Sequence, residues 1–251
     1  MSNSALAESL TQSLDLAQPP IAVCLLEELP PGVEAWTGPA PAGCRFWQEA
    51  STRVFATVPA DHANCAIGQY THNLSMTPVS EKDLGDALRI FDLLSYVRQQ
   101  DIPLIPVLQS KPKYVLYGPL ASVTAAPDVV LLFVKPGQTL ILSEASWQVE
   151  GGMPPAMGRP ACAVVPQAAN SARSALSLGC CGARAYLDVL TDDVALYALP
   201  GPGLEALAER IAALASANGT LTKFHHLRRT DIESGNSPSV MDSLAALQSV
   251  G

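Results

Sequence analysis

The chain has 251 residues, 48% of them hydrophobic and only 15% charged, with a mean hydropathy of +0.20. That composition can bury a large core and excludes disordered, fibrous and highly charged classes. A net charge of −8 and a pI near 4.9 leave no clustered cations for a phosphate backbone, no apolar run reaches the roughly 20 residues of a membrane span, and the first ten residues lack a secretory signal. A cytoplasmic protein that binds neither nucleic acid nor membrane is therefore expected.

Taken in chain order, Leu6, Leu10 and Leu14 at four-residue spacing predict a short helix ended by Pro19-Pro20, and Ile21 to Leu26 a strand. Pro30-Pro31-Gly32 opens a Pro/Gly/Ala-rich loop that delivers Cys44 to a short helix, CRFWQEA. Val54 to Val58 suits a strand, and DHANCAIG a loop carrying His62 and Cys65. Ser80 with Asp83 resembles a capping box. It opens a helix whose stripe of Leu84, Ala87, Leu88, Phe91, Leu94 and Val97 predicts ordinary core packing.

Lys113 to Tyr117, Val129 to Val134 and Thr139 to Leu142 suit strands. The Gly/Pro-rich GGMPPAMGRP then delivers Cys162. A strand over Val194 to Leu199 precedes a helix from about Leu204 that buries Leu207, Ile211 and Leu214 and stops at Asn218-Gly219. The only basic run, Lys223 to Arg229, suits a solvated edge. From Thr230 the chain predicts a mobile tail, in which MDSLAALQ can form a docked terminal turn.

An internal echo runs through this order. IAVCLL, Pro-Pro-Gly, loop, Cys44, helix, Cys65 and Gly68 parallels VVLLFV, Pro-Gly, loop, Cys162, helix, Cys180 and Gly182, with Cys–Cys separations of 21 and 18 residues. A unit used twice brings four thiols together about a pseudo-twofold axis.

Six cysteines without an export signal are unlike a disulfide framework. Cys24 lies within an apolar strand and suits a packed thiol. Cys44, Cys65 and Cys180 instead sit beside glycines on loops, where backbone can approach a sulfur closely. Four thiolates at Cys44, Cys65, Cys162 and Cys180 suit an iron–sulfur cluster or zinc. Their wide spacing fits a cluster held between loops of a larger domain rather than a small zinc knuckle. Arg45 and Arg184 are placed to offset thiolate charge, amides near Gly68 and Gly182 to donate to sulfur, and His62 and His72 are reserve ligands. A thiol nucleophile at Cys180 or Cys181 is the remaining chemistry, since no GxSxG, HExxH, Walker or GxGxxG motif occurs.

The segments GCRFWQEA, DHANCAIG, GRPACAVVPQAANSARSALSLGCCGARAY and DDVALYALPG resemble domain-of-unknown-function family 169, the uncharacterised ArCR group, over about residues 6 to 215. The resemblance carries Cys44, Cys65, Cys162, Cys180, Gly182 and Arg184 onto motif positions and leaves Cys24 and Cys181 as extras. It implies a shared metal or redox centre and supplies no reaction.

The expected fold is α/β over residues 1–229: a mixed sheet with packed helices, built from two pseudo-symmetric halves in one domain, with 230–251 as tail. The expected function is a four-iron cluster protein in electron transfer or reductive small-molecule chemistry, with a redox partner protein or small substrate and a homodimer as its assembly. The alternatives are a small-molecule-binding or accessory module with zinc-bound or packed cysteines, and a thiol-dependent enzyme.

Overall fold

The computed structural model describes residues 1–157 and 160–249. At its centre is a seven-stranded sheet in the order β2-β3-β1-β4-β7-β6-β5. The strands are β1 (Ile21–Leu26), β2 (Phe55–Thr57), β3 (Tyr114–Pro119), β4 (Val129–Val134), β5 (Ala156–Met157), β6 (Ala175–Ser177) and β7 (Ala195–Pro200). Neighbours from β2 to β6 run antiparallel, and β5 joins β6 in parallel, so the sheet is mixed.

The strand registers show that the sheet is a doubled motif. Ile21 faces Pro119 across β1 and β3, and Val129 faces Pro200 across β4 and β7. Two residues before each proline, Tyr117 faces Phe55 and Ala198 faces Ala175. Where the halves meet, Ile21 pairs with Leu131 and Val23 with Val129, so a pseudo-twofold axis passes beside Ala22 and Val130. The echo in the sequence is thus real: β1, β3 and β2 of one half correspond to β4, β7 and β6 of the other.

Helices cover both faces. β1 and β4 therefore have almost no exposed position, which is why they are continuous apolar runs without alternation. One face, with Ala22, Cys24, Leu116, Val130, Leu132, Tyr197 and Leu199, packs on α1 (Asn3–Leu14), α5 (Pro136–Glu150) and the first turns of α8 (Leu204–Glu233). The other, with Ile21, Val23, Phe55, Tyr117, Val129 and Leu131, packs on α2 (Arg45–Glu49) and α6 (Val164–Ser171), with α3 (Ala66–Thr71) and α7 (Cys181–Tyr186) beside them. Alternation along β1 sends Cys24 to the α1/α5/α8 side, away from every other cysteine, so it is a packed thiol as expected.

Several local expectations are corrected. Thr139–Leu142 lies inside helix α5, not a strand. Pro136 occupies the first helical position, Gln138 Oε1 accepts from the Lys135 amide at 2.6 Å, and Gly151 closes the far end at φ 78°. These end signals outweigh the β-branched content of a four-residue run. Asn218-Gly219 does not stop α8, which continues to Glu233. A mid-helix glycine costs only about 1 kcal/mol, and the left-handed residue that ends this helix is Gly235, φ 88°. Helix α4 (Pro78–Leu93) is capped by Thr77, whose hydroxyl accepts from the Ser80 amide at 3.2 Å, rather than by Ser80. DHANCAIG is not a plain loop: Pro59–His62 is a 3-10 turn, and α3 begins directly after Cys65.

Helix α9 (Val240–Ser249) lies against the outer part of α8, where Arg228 donates to the Pro238 carbonyl at 2.7 Å and to Ser243 Oγ at 3.3 Å. Gly158 and Arg159 of the segment before Cys162 are outside the described residues. Among the described residues no helix is long and apolar enough to cross a membrane.

Candidate functional site

Each half delivers two cysteines to the same side of the sheet by the same means. Cys44 immediately precedes α2, and Cys162 lies in the 3-10 turn Ala161–Ala163 that runs into α6. Cys65 and Cys180 occupy the N-cap positions of the six-residue helices α3 and α7. In each cap the sulfur lies over the residue three ahead. A Cβ added to Gly68 would stand 2.9 Å from Cys65 Sγ, and Cys180 Sγ accepts from the Ala183 amide at 3.4 Å. Gly68 thus makes room for the Cys65 sulfur. Gly182 crowds nothing closer than the Tyr186 ring at 3.9 Å.

Hydrogen bonds across the pseudo-axis fix these loops relative to one another. Gln48 on α2 exchanges two bonds with Asp188 beyond α7, both at 3.1 Å. Asn170 on α6 donates to the Val107 carbonyl and accepts from the Gln109 amide. Within the first half, Asn64 donates to the Ala40 carbonyl at 2.9 Å, tying the Cys44 loop to the Cys65 loop.

All four thiols line one cavity of about 380 Å³. Its base is Tyr117, stacked on Phe46 at a 5.7 Å centroid distance. Cys44 and Cys162 are 8% and 9% exposed. Burial pushes Cys44 up to about 12, with Cys65 and Cys180 adding to the rise. Cys162 is held well above the ordinary thiol range by burial and then by Cys65, while its 3.3 Å contact with the Thr71 hydroxyl works the other way. Burial followed by the charges of Cys162, Cys65 and Cys44 also raises the Tyr117 hydroxyl, which places that ring among three thiols. Both deeply buried thiols are therefore protonated near neutrality in the bare protein. Among the described residues, no three His, Cys, Asp or Glu side chains stand close enough to share one ion.

The two reserve histidines join the cavity. His62 Nε2 is 2.9 Å from Thr57 Oγ1, and His72 Nδ1 is 3.1 Å from the Gly68 carbonyl, while His72 Nε2 has no partner. Burial lowers His62 to about 3, with His72 adding to the fall, and lowers His72 to about 4. At neutral pH both rings are uncharged.

The arginines do not serve the sulfurs. Arg184 donates to the carbonyls of Leu178, Leu190, Thr191 and Val194, and so holds the loop between α7 and β7. Arg45 pairs with Glu49 at 2.9 Å on its own helix. Residue spacing placed both beside cysteines, but carbonyls and a carboxylate within reach hold their guanidinium groups. Cys181 is exposed at the first position of α7, though it too borders the cavity mouth.

The sequence pattern also misassigns the roof. The α4 stripe is not core: Ala87, Leu88, Phe91 and Val97 line the cavity and are only partly buried, and Leu94 is 72% exposed. Tyr117 and Thr71 were missed because nothing in a strand tyrosine or helix threonine signals a cavity; only the paired half supplies that information.

A family model described as uncharacterised ArCR, domain of unknown function 169, matches residues 9–210. The chain belongs to domain-of-unknown-function family 169. The match covers both halves of the sheet and Cys44, Cys65, Cys162 and Cys180, and ends within the first turns of α8, so the outer part of α8 and α9 lies beyond the family region. No curated protein and no solved structure matches the chain.

Proposed function

We propose that this member of family 169 is a four-iron cluster protein, using Cys44, Cys65, Cys162 and Cys180 as ligands, in electron transfer or reductive chemistry on a small molecule. The supporting observation is the delivery of two cysteines by each pseudo-symmetric half to one cavity. The donor set fits: four thiols on four separate loops suit a polynuclear group in which each thiolate binds its own iron. When bound, such a cluster supplies a one-electron couple.

The chain's own contributions are set by the geometry. Cys44 and Cys162 must each give up a proton to bind metal, so loading releases protons and gains from alkaline conditions. Once Cys162 is a thiolate it can only accept, and Thr71 becomes the donor of their 3.3 Å contact. That bond and the Ala183 amide on Cys180 are the hydrogen bonds to sulfur through which the protein would tune a potential. Helix α4 limits water above the thiols, and the redox partner is a small molecule admitted beneath it or a protein docking at its edge.

Protein purified and reconstituted with iron and sulfide under anaerobic conditions is expected to show broad visible absorbance that bleaches on adding dithionite. A folded, colourless chain after reconstitution would overturn the reading.

A further inference from the structure

The two halves differ most in the segment after their second cysteine helix. In the second half, residues 187–194 suffice to pass from α7 to β7, whereas the first half uses residues 72–113 between α3 and β3 and builds α4 from them. The cavity roof is therefore an addition to one half only, and a symmetric thiol set does not require it.

The roof and walls are apolar: Ala87, Leu88, Phe91, Val97 and Ile105 face the thiol side. Among the described residues the lining contains no lysine or arginine, and its charged residue there is Asp83. An anion entering here would find no cation among the described residues to offset the hydration it loses. The volume, about 380 Å³, lies within the range of small-molecule sites.

Among the described residues, His72 Nε2 is a buried polar atom of a lining side chain without a partner. His72 is 3% exposed. The Gly68 carbonyl can only accept, so the 3.1 Å contact places the ring proton on Nδ1 and leaves Nε2 as a bare acceptor. Nδ1 is turned back on its own helix, and Nε2 is the ring nitrogen without a partner on a residue that lines the cavity. A buried acceptor left unpaired forfeits the hydrogen bond it made in water, which a donor on a bound molecule restores.

We propose that the cavity beneath α4 binds a small, uncharged, largely apolar molecule that donates one O–H or N–H to His72 Nε2. The inference rests on the reading of this cavity as a redox site, and names its substrate class.

Phenol, anisole and benzoate, matched in size and differing in donor and charge, test it by calorimetric titration into the full anaerobic chain, with iron measured on each sample. Phenol is expected to bind at least tenfold tighter than anisole, and benzoate to show no binding where phenol saturates. His72→Leu is expected to erase the phenol preference. Leu88→Trp, on the roof helix, is expected to abolish all binding with iron content unchanged. Benzoate binding equal to phenol, a preference that survives His72→Leu, phenol binding that survives Leu88→Trp, or no binding of any probe to a folded chain overturns the inference. Iron-loaded protein that ignores phenol defeats this inference alone. Phenol binding to a chain that takes up no iron leaves the His72 pocket standing and defeats the cluster.

Discussion

Cys162→Ala, purified and reconstituted without oxygen, is expected to lose most of its cluster iron while keeping its far-ultraviolet circular dichroism. Cys44→Ala, Cys65→Ala and Cys180→Ala should do the same, because in the proposed cluster each thiolate would bind its own iron and the remaining three could not replace it. Losing a buried sulfur removes little volume, so the fold should lose only about 1 kcal/mol. Two built-in controls make the test sharp. Cys24→Ala changes a thiol on the opposite face of the sheet, and Cys181→Ala an exposed one, and both should retain full iron. Iron loss in Cys24→Ala equal to that in Cys162→Ala would show that general destabilisation, not ligation, governs metal uptake.

The second large effect concerns acid. His62 and His72 are buried and neutral, held at about 3 and about 4 by desolvation, against an unfolded value near 6.5. Below that unfolded value, the unfolded chain takes up two protons that the folded chain refuses. Stability from these groups is therefore complete above pH 6.5 and is lost as pH falls toward about 4, at about 2.7 kcal/mol per pH unit while both titrate. Over one and a half units the loss is on the order of 4 kcal/mol, comparable to the whole stability of many domains. Asp128 works slightly the other way, since its half-buried carboxyl is held up by desolvation and takes its proton earlier when folded.

Urea-unfolding midpoints from pH 7.5 to 4.5 should fall steeply below pH 6.5, and His72→Gln should halve the slope. A midpoint that stays level between pH 7 and 5 would contradict the burial of these rings.

Much of this arrangement was legible in the sequence because duplication leaves a linear trace. The runs IAVCLL and VVLLFV became β1 and β4, and the order loop, cysteine, helix, cysteine recurred in both halves. Fold class and convergence of the four cysteines followed from that recurrence. Features in one half only were harder to place. The α4 stripe has helical periodicity whether it faces a core or an open cavity, and periodicity cannot tell the two apart. Thr139–Leu142 was misjudged because four apolar residues carry no period, and the deciding signals, Pro136 and Gly151, lie outside them. His72 carried no local mark of its role; its free nitrogen becomes visible only once the Gly68 carbonyl is seen to hold the other.

Thiols from both halves are proposed to act as one ligand set. Iron and acid-labile sulfide per chain, determined on anaerobically reconstituted protein after removal of loosely bound metal, test it most directly. The account predicts about four of each per chain in the unsubstituted protein and close to none when Cys44, Cys65, Cys162 and Cys180 are all alanine. Iron without sulfide, or equal iron in the two proteins, would contradict it.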